Sequence, residues 1–183
     1  MPPKSSGLIQ VYTGNGKGKT TAALGTAIRA AAKGIRVAIV YFDKGGTHYA
    51  ERAILESRFK GEIDFFGTGL DRIDPTNGRF RFGVTPEDRT EADRGLAIVR
   101  GIFVRGEHGL VILDEINSSV SLGMIAEDAA LAEIAMKPPD TELILTGRNA
   151  PASFLALADL VSDVTLVKHY FYRGVPAREG IDF

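Results

Sequence analysis

The sequence predicts an α/β domain built on a mostly parallel central sheet of about six strands, covered by helices on both faces. Three observations predict it. Short apolar, β-branched runs alternate along the chain with longer segments of helical period. Most of those runs are apolar throughout, as strands covered on both sides are. The first of them leads directly into a glycine-rich loop and then a helix. With 183 residues, 44% hydrophobic and 25% charged, the chain has the composition of one ordinary globular domain, taken as residues 1–183, and not of a disordered or membrane-embedded protein.

The strand candidates, in order, are Leu8–Tyr12, Arg36–Phe42, Glu62–Phe66, Leu110–Asp114, Glu142–Thr146 and Thr165–His169. Between them, Thr20–Lys33 is Ala-rich and stops at Gly34, a residue suited to a left-handed helix cap. A second helix is predicted over Pro86–Arg105. Thr85 can cap it, Pro86 suits its first turn, and Ala92, Leu96, Val99 and Phe103 form one apolar stripe that reads as core. The stretch Gly67–Val84 is broken by Gly67, Gly69, Pro75, Gly78 and Gly83, and a connection of this length is either functional or disordered. The last segment, Lys168–Phe183, carries Tyr170, Phe171, Tyr172 and Phe183, which predicts that it packs onto the body or onto another subunit.

Composition removes several function classes. The 22 basic residues against 23 acidic ones give a net charge of −1, and no run of like charge stands out, so there is no electrostatic footprint for nucleic acid. Cysteine is absent, which excludes disulfides, thiolate zinc sites, iron–sulfur clusters and thiol nucleophiles. His48, His108 and His169 form no local metal-ligand pair. The opening MPPKSSGLIQVYTG lacks an apolar signal core, and no segment approaches the ~18 uncharged apolar residues of a spanning helix. The expectation is a soluble cytoplasmic protein without a membrane partner.

The chemistry concentrates in Thr13-Gly14-Asn15-Gly16-Lys17-Gly18-Lys19-Thr20-Thr21, between the first strand and the first helix. Glycines there let successive backbone N–H groups turn toward one point, and the helix start adds a positive dipole. Lys19 is expected on a phosphate oxygen and Thr20 on Mg²⁺. The usual motif has its first Gly where this chain has Thr13, so the first Gly arrives one residue late. The partner element is Leu110–Asp114 followed by Glu115, a strand ending in two carboxylates at the edge where open α/β sheets bind ligands. One carboxylate can approach the metal while the other bonds the loop residues that hold it. Arg148, just beyond Glu142–Thr146, is either a phosphate clamp or a solvated loop residue. Arg29 reads as a helix-surface residue unless it folds back toward the nucleotide.

Set in order, these motifs resemble the P-loop ATP:corrinoid adenosyltransferase family, nearly end to end. The carriers are Gly14 through Ala23, Phe42-x-Lys44-Gly45, Glu91-Ala92-Asp93, Leu113-Asp114-Glu115, Thr146-Gly147-Arg148, and Lys168-His169 leading through Gly174 and Ala177 to Gly180-Ile181-Asp182-Phe183. The shortened loop belongs to that family pattern. The resemblance implies a single P-loop domain, acting as a homodimer, that binds MgATP and a reduced corrinoid and transfers the 5′-deoxyadenosyl group to cobalt with release of triphosphate. A reductant or flavoprotein would supply the electrons. It further implies a nucleotide held in reverse of the ordinary P-loop orientation. The loop and helix themselves give Gly14, Asn15, Gly16, Lys17, Gly18, Lys19, Thr20 and Thr21 as the expected binding residues, joined by Arg29 if it folds back. Thr20, Asp114 and Glu115 would hold the metal, and Lys19, Glu115 and Arg148 would act in catalysis.

One departure concerns the corrinoid. Better-known members carry a Phe and a Trp before the Glu-Ala-Asp segment, where they exclude cobalt's lower axial ligand; this chain has no Trp and reads Arg79-Phe80-Arg81-Phe82-Gly83-Val84. Phe82 is the candidate wedge, with loop packing as its other reading and Phe80 as the neighbour one register shift would select. Two further activities fit the same residues: a P-loop ATPase or small-molecule kinase, in which Glu115 orients a nucleophile, and a non-catalytic corrinoid or nucleotide carrier.

Overall fold

The computed structural model describes residues 7–47, 49–72 and 81–182. The elements are β1 (Ile9–Thr13), α1 (Lys19–Ala31), β2 (Val37–Tyr41), α2 (Ala50–Arg58), β3 (Ile63–Gly67), α3 (Pro86–Arg105), β4 (Leu110–Asp114), α4 (Ile116–Ser121), α5 (Glu127–Ala135), β5 (Glu142–Thr146), α6 (Ala152–Leu157) and β6 (Leu160–Asp163). The strands form one sheet in the order β3-β2-β4-β5-β1-β6, with every adjacent pair parallel. All strand ends that carry chemistry therefore emerge on one edge, and β4 comes to lie between β2 and β5.

Period-two alternation sorts the strand residues between two cores. Along β2 and the residue after it, Ala38, Val40 and Phe42 enter one apolar cluster, while Val37, Ile39 and Tyr41 enter the other. The first cluster receives Ala92, Leu96, Val99, Ile102 and Phe103 of α3, with Ile116 of α4, Ile134 of α5 and Phe154 of α6. The second receives Ala23 and Ala27 of α1 and Leu55 of α2. Each fully buried aliphatic or Phe side chain is worth about 1.5–3 kcal/mol, so the predicted α3 stripe is among the larger contributors to the fold. That helix begins and ends where the sequence places it: Thr85 caps it, Pro86 opens it, and Gly106 closes it at φ 63°.

The sixth strand is a correction. It is Leu160–Asp163 and not Thr165–His169, and it pairs with β1 from Gln10↔Leu160 to Thr13↔Asp163. The ladder stops there because β1 itself ends and turns into the glycine loop. The following residues track that loop instead: Gly16 N donates to Val164 O (2.7 Å), and Leu166 N donates to Asn15 Oδ1 (3.0 Å). β6 also departs from the covered pattern, with Leu160 and Val161 left 46% and 45% exposed at the sheet edge. Its sequence, preceded by Asp159 and ending in Ser162 and Asp163, carries too short an apolar run to mark a covered strand.

Tyr170–Arg173 forms a single 3₁₀ turn, and the segment around it packs onto the body at the glycine loop. His48, Pro75, Gly78, Phe80 and Phe183, singled out above, lie outside the described residues. Among the described residues, no helix is long and apolar enough to cross a membrane.

Candidate nucleotide and cation site

Helix α1 begins without a side-chain cap. Its N-cap is Gly18, at φ 118° in the left-handed region that only glycine adopts without strain, and its first turn contains no acidic residue. The backbone N–H groups there have no intrahelical acceptors, and the helix dipole adds to their pull on an anion. Gly14 is needed for another reason as well: a Cβ at that position would lie 2.2 Å from Asp163 Oδ1 and 2.5 Å from Val164 O. The late first glycine is thus fixed by the close passage of the chain leaving β6.

Lys19, 7% exposed, folds its ammonium onto the loop, donating to Gly14 O (2.7 Å) and Gly16 O (2.8 Å). Burial pulls its pKa below the ordinary lysine value; Arg148 pushes the same way, against Glu115, Asp114 and Asp163. A desolvated ammonium at an open helix terminus is poised for an anionic partner.

Beside it, side chains from three neighbouring strand ends and from the first turn of α1 converge. Asp114, 1% exposed, closes β4. Its Oδ1 accepts from Thr20 Oγ1 (2.9 Å) and from Thr146 Oγ1 at the end of β5 (2.6 Å). Its Oδ2 accepts from Lys44 Nζ, just beyond β2 (2.5 Å). The Lys44 ammonium also lies 3.1 Å from Thr20 Oγ1 and 3.9 Å from Glu115 Oε1. Burial opposes the Lys44 charge, and Asp114 and Glu115 overcome it, holding its pKa above the usual value.

Glu115 takes a left-handed backbone conformation, φ 62°, which is costly for a side chain with a Cβ. The surroundings impose it. Glu115 N donates to Thr146 Oγ1 (3.1 Å), and Ser118 Oγ donates to Glu115 Oε2 (2.6 Å) while accepting from Arg148 N (2.9 Å). The strain turns the carboxylate into the space above the strand ends.

That space is a cavity of about 830 Å³, within the range of small-ligand sites. Asn15, Gly16, Lys17, Gly18, Lys19, Thr20, Thr21, Glu115 and Arg148 all line it, so these predicted site residues come together on one wall. Gly14 and Asp114 stand behind that wall and touch it through Lys19, Thr20 and Lys44. Two predicted residues are not brought in. Arg29 is exposed in the last turn of α1, ten residues and about 15 Å of helix from Lys19. Phe82 is 85% exposed beyond the cavity lining. It stands in a segment pinned by Arg72, which donates to Gly83 O (2.7 Å) and to Asp43 Oδ1 (2.7 Å).

The C-terminal segment supplies another part of the cavity, through His169, Tyr170, Phe171, Val175 and Ile181 among others. Asp182 ties it down. Lys17 of the loop donates to Asp182 Oδ1 (2.7 Å) and Ile181 O (2.7 Å), Arg178 Nε donates to Asp182 Oδ2 (3.1 Å), and the Tyr170 hydroxyl also bonds Asp182. These cations and hydrogen bonds hold the Asp182 carboxyl well below the usual range.

The residues missed as site members are Lys44, Thr146, Ser118 and Asp182. Lys44, Thr146 and Asp182 lie in quoted sequence motifs, and that was the available signal; nothing in the sequence says that β2 lies next to β4 or that the tail returns to the loop.

A family model described as ATP:corrinoid adenosyltransferase BtuR/CobO/CobP matches residues 5–183. The corrinoid adenosyltransferase of Pseudomonas aeruginosa is 33% identical over 97% of this chain and 84% of its own length. That of Escherichia coli K12 is 37% identical, over 97% of this chain and 86% of its own length. An uncharacterized Nostoc protein, all2391, is 38% identical over 96% of this chain, which spans about half, 48%, of that protein's length. Among solved structures, the KaiC-like protein PH0186 of Pyrococcus horikoshii has a TM-score of 0.55 at 16% identity, over 90% of this chain and 75% of that one, a likeness of fold alone.

Proposed function

We propose that this chain, which belongs to the ATP:corrinoid adenosyltransferase BtuR/CobO/CobP family, transfers the 5′-deoxyadenosyl group of ATP to the cobalt of a reduced corrinoid. It acts as a single 1–183 domain in a cytoplasmic homodimer, with a reductant or flavoprotein delivering cobalt as Co(I). The cobalt electron pair attacks C5′ of the ribose, a Co–C bond forms, the C5′–O bond breaks, and triphosphate leaves with the bonding electrons. Co(I) carries no proton, so the step requires no general base. The protein's work is to position C5′ and to stabilise the departing charge.

The observation that carries this reading is the convergence of Lys19, Thr20, Glu115 and Arg148 on one cavity beside an uncapped helix terminus. Lys19, the loop amides and Arg148 are the charge-stabilising groups for triphosphate. The donor set fits Mg²⁺: Thr20, Asp114 and Glu115 are all hard oxygen ligands. Among the described residues, no group of three His, Cys, Asp or Glu side chains could hold a metal without help. Mg²⁺ is bound in that way, through one or two carboxylates completed by substrate phosphates and water. When bound, the ion supplies further charge neutralisation on the leaving group.

For the corrinoid, the exposed ring of Phe82 is the side chain offered to the lower face. An apolar aromatic there denies cobalt its axial ligand and makes Co(II) easier to reduce. Phe82→Ala is expected to impair adenosylation strongly from Co(II) with a mild reductant and to spare most of it from preformed Co(I). Equal losses in the two assays would reassign Phe82 to pocket shape.

The test of the activity is incubation with MgATP and chemically generated cob(I)alamin, following loss of the Co(I) absorption and identifying the phosphate released. Triphosphate is the expected product. ADP would mark a phosphoryl-transfer enzyme, and binding of both ligands without turnover would mark a carrier.

A further inference from the structure

Lys44 holds the same oxygens that a divalent cation would use. Its Nζ contacts Asp114 Oδ2 and Thr20 Oγ1 and faces Glu115 Oε1. Mg²⁺ takes oxygen ligands of the kind that Asp114 and Thr20 offer, and both residues already hold the Lys44 ammonium. A cation bound there competes with Lys44 for their negative charge.

Nor is Lys44 a loosely held surface lysine. Lys44 N donates to Thr68 O (3.0 Å), and Arg52 clamps the turn by donating to Lys44 O and to Gly46 O (3.0 Å). Arg52 is itself stacked between Tyr41 and Tyr49, at 4.9 and 4.5 Å from the ring centroids. The backbone is pinned, the side chain is 14% exposed, and the ammonium is aimed at a carboxylate that is 1% exposed. Lys44 also lines the cavity.

We propose that Lys44 is a resident counter-ion of the cation cradle, one that makes metal binding and nucleotide binding depend on each other. The proposal rests on reading Thr20, Asp114 and Glu115 as the metal cradle. A divalent ion arriving alone must displace a buried, paired ammonium and leave it without an anion, which is costly. An ion arriving with a polyphosphate meets no such penalty, because the displaced ammonium gains phosphate oxygens in the cavity that it already borders. The cradle is thereby weak for metal alone and strong for metal with nucleotide. By linkage, the metal strengthens nucleotide binding by the same factor.

The experiment measures Mn²⁺ bound to protein by paramagnetic resonance, with and without saturating ATP, after subtraction of the free Mn²⁺–ATP complex. Wild type is compared with Lys44→Met and with Lys44→Gln, which keeps an amide donor for Asp114 should the first variant lose its thermal transition. Without nucleotide, Mn²⁺ affinity is expected to rise at least tenfold over wild type, and the gain in Mn²⁺ affinity on adding ATP is expected to shrink by a similar factor. Affinities without nucleotide within twofold of wild type overturn the proposal. Asp114→Asn separates it from its premise. If that variant binds Mn²⁺ in the ATP complex as wild type does, the cradle itself is misassigned. If it loses the metal while the Lys44 variants match wild type, the cradle stands and only the counter-ion role falls.

Discussion

Two helices of this protein begin in opposite ways. α3 closes its own N-terminus: Asp88 N donates to Thr85 Oγ1 (3.3 Å), Thr85 N donates to Asp88 Oδ2 (2.8 Å), and Arg81 adds two hydrogen bonds to the same carboxylate. α1 has a glycine at the cap, no side-chain cap and no acid in its first turn. The same physical need, acceptors for unpaired N–H groups, is met inside the fold in one case and left to a ligand in the other. A helix start that is complete serves stability; one left open at the carboxyl edge of a parallel sheet serves binding.

The contrast breaks most sharply at Lys19. Lys19→Ala is expected to lower turnover by at least about 10²–10³-fold, the scale for losing one preorganised charge-stabilising group. Its thermal transition should stay near that of wild type, and triphosphate release beside a melting curve measures both. A folded variant retaining most of its activity would remove Lys19 from the site. Glu115→Ala comes next, with metal-dependent ATP affinity expected to fall about 10–100-fold, the range for groups that support a bound metal, and with corrinoid affinity changed less. Parallel titrations with ATP and corrinoid decide it.

At α3 the expected effects are smaller and fall on stability alone. Thr85→Ala should cost about 1 kcal/mol by urea unfolding and leave triphosphate release unchanged. The other effect at α3 is one of pH. Arg81, followed by the Thr85 backbone, holds the Asp88 carboxyl well below the usual carboxylate range, against the opposing effect of burial. A depressed native pKa contributes stability that is present above the unfolded value, about 3.9, and is lost as pH falls through the native one. Asp88→Asn should therefore be less stable than wild type at pH 7, and the two stabilities should converge as the pH is taken below about 4. Parallel curves across that range would mean that Asp88 does not stay charged in the way its partners dictate.

How far the site could be read in advance depended on chain distance. The loop from Gly14 to Thr21 and the Thr85 cap of α3 lie within a few residues of themselves, so local spacing is enough to read them; the return bond from Asp88 that completes the capping box appears only in the structure. Arg29, which reads as a helix-surface residue unless it folds back toward the nucleotide, stays on the surface: ten residues of helix set it far from Lys19, and its side chain is exposed on α1. Lys44 could not be placed by spacing, because it meets Asp114 across 70 residues and only through the pairing of β2 with β4. The sixth strand failed for a related reason. Thr165–His169 has strand-like residues, but β1 ends at Thr13, and beyond it there is no ladder to join.

By itself, the sequence determined what nearest neighbours along the chain decide: alternation for strands, a stripe for α3, and glycines with Lys19 and Thr20 for an anion site, since period and spacing are local properties of a polypeptide. The tertiary structure alone decided which strand ends meet. The order β3-β2-β4-β5-β1-β6 sets Asp114 among Thr20, Lys44 and Thr146, and the returning tail sets Asp182 on Lys17. Strand order is a property of the whole buried sheet, chosen by how two apolar faces are covered at once. No short segment of the chain carries it.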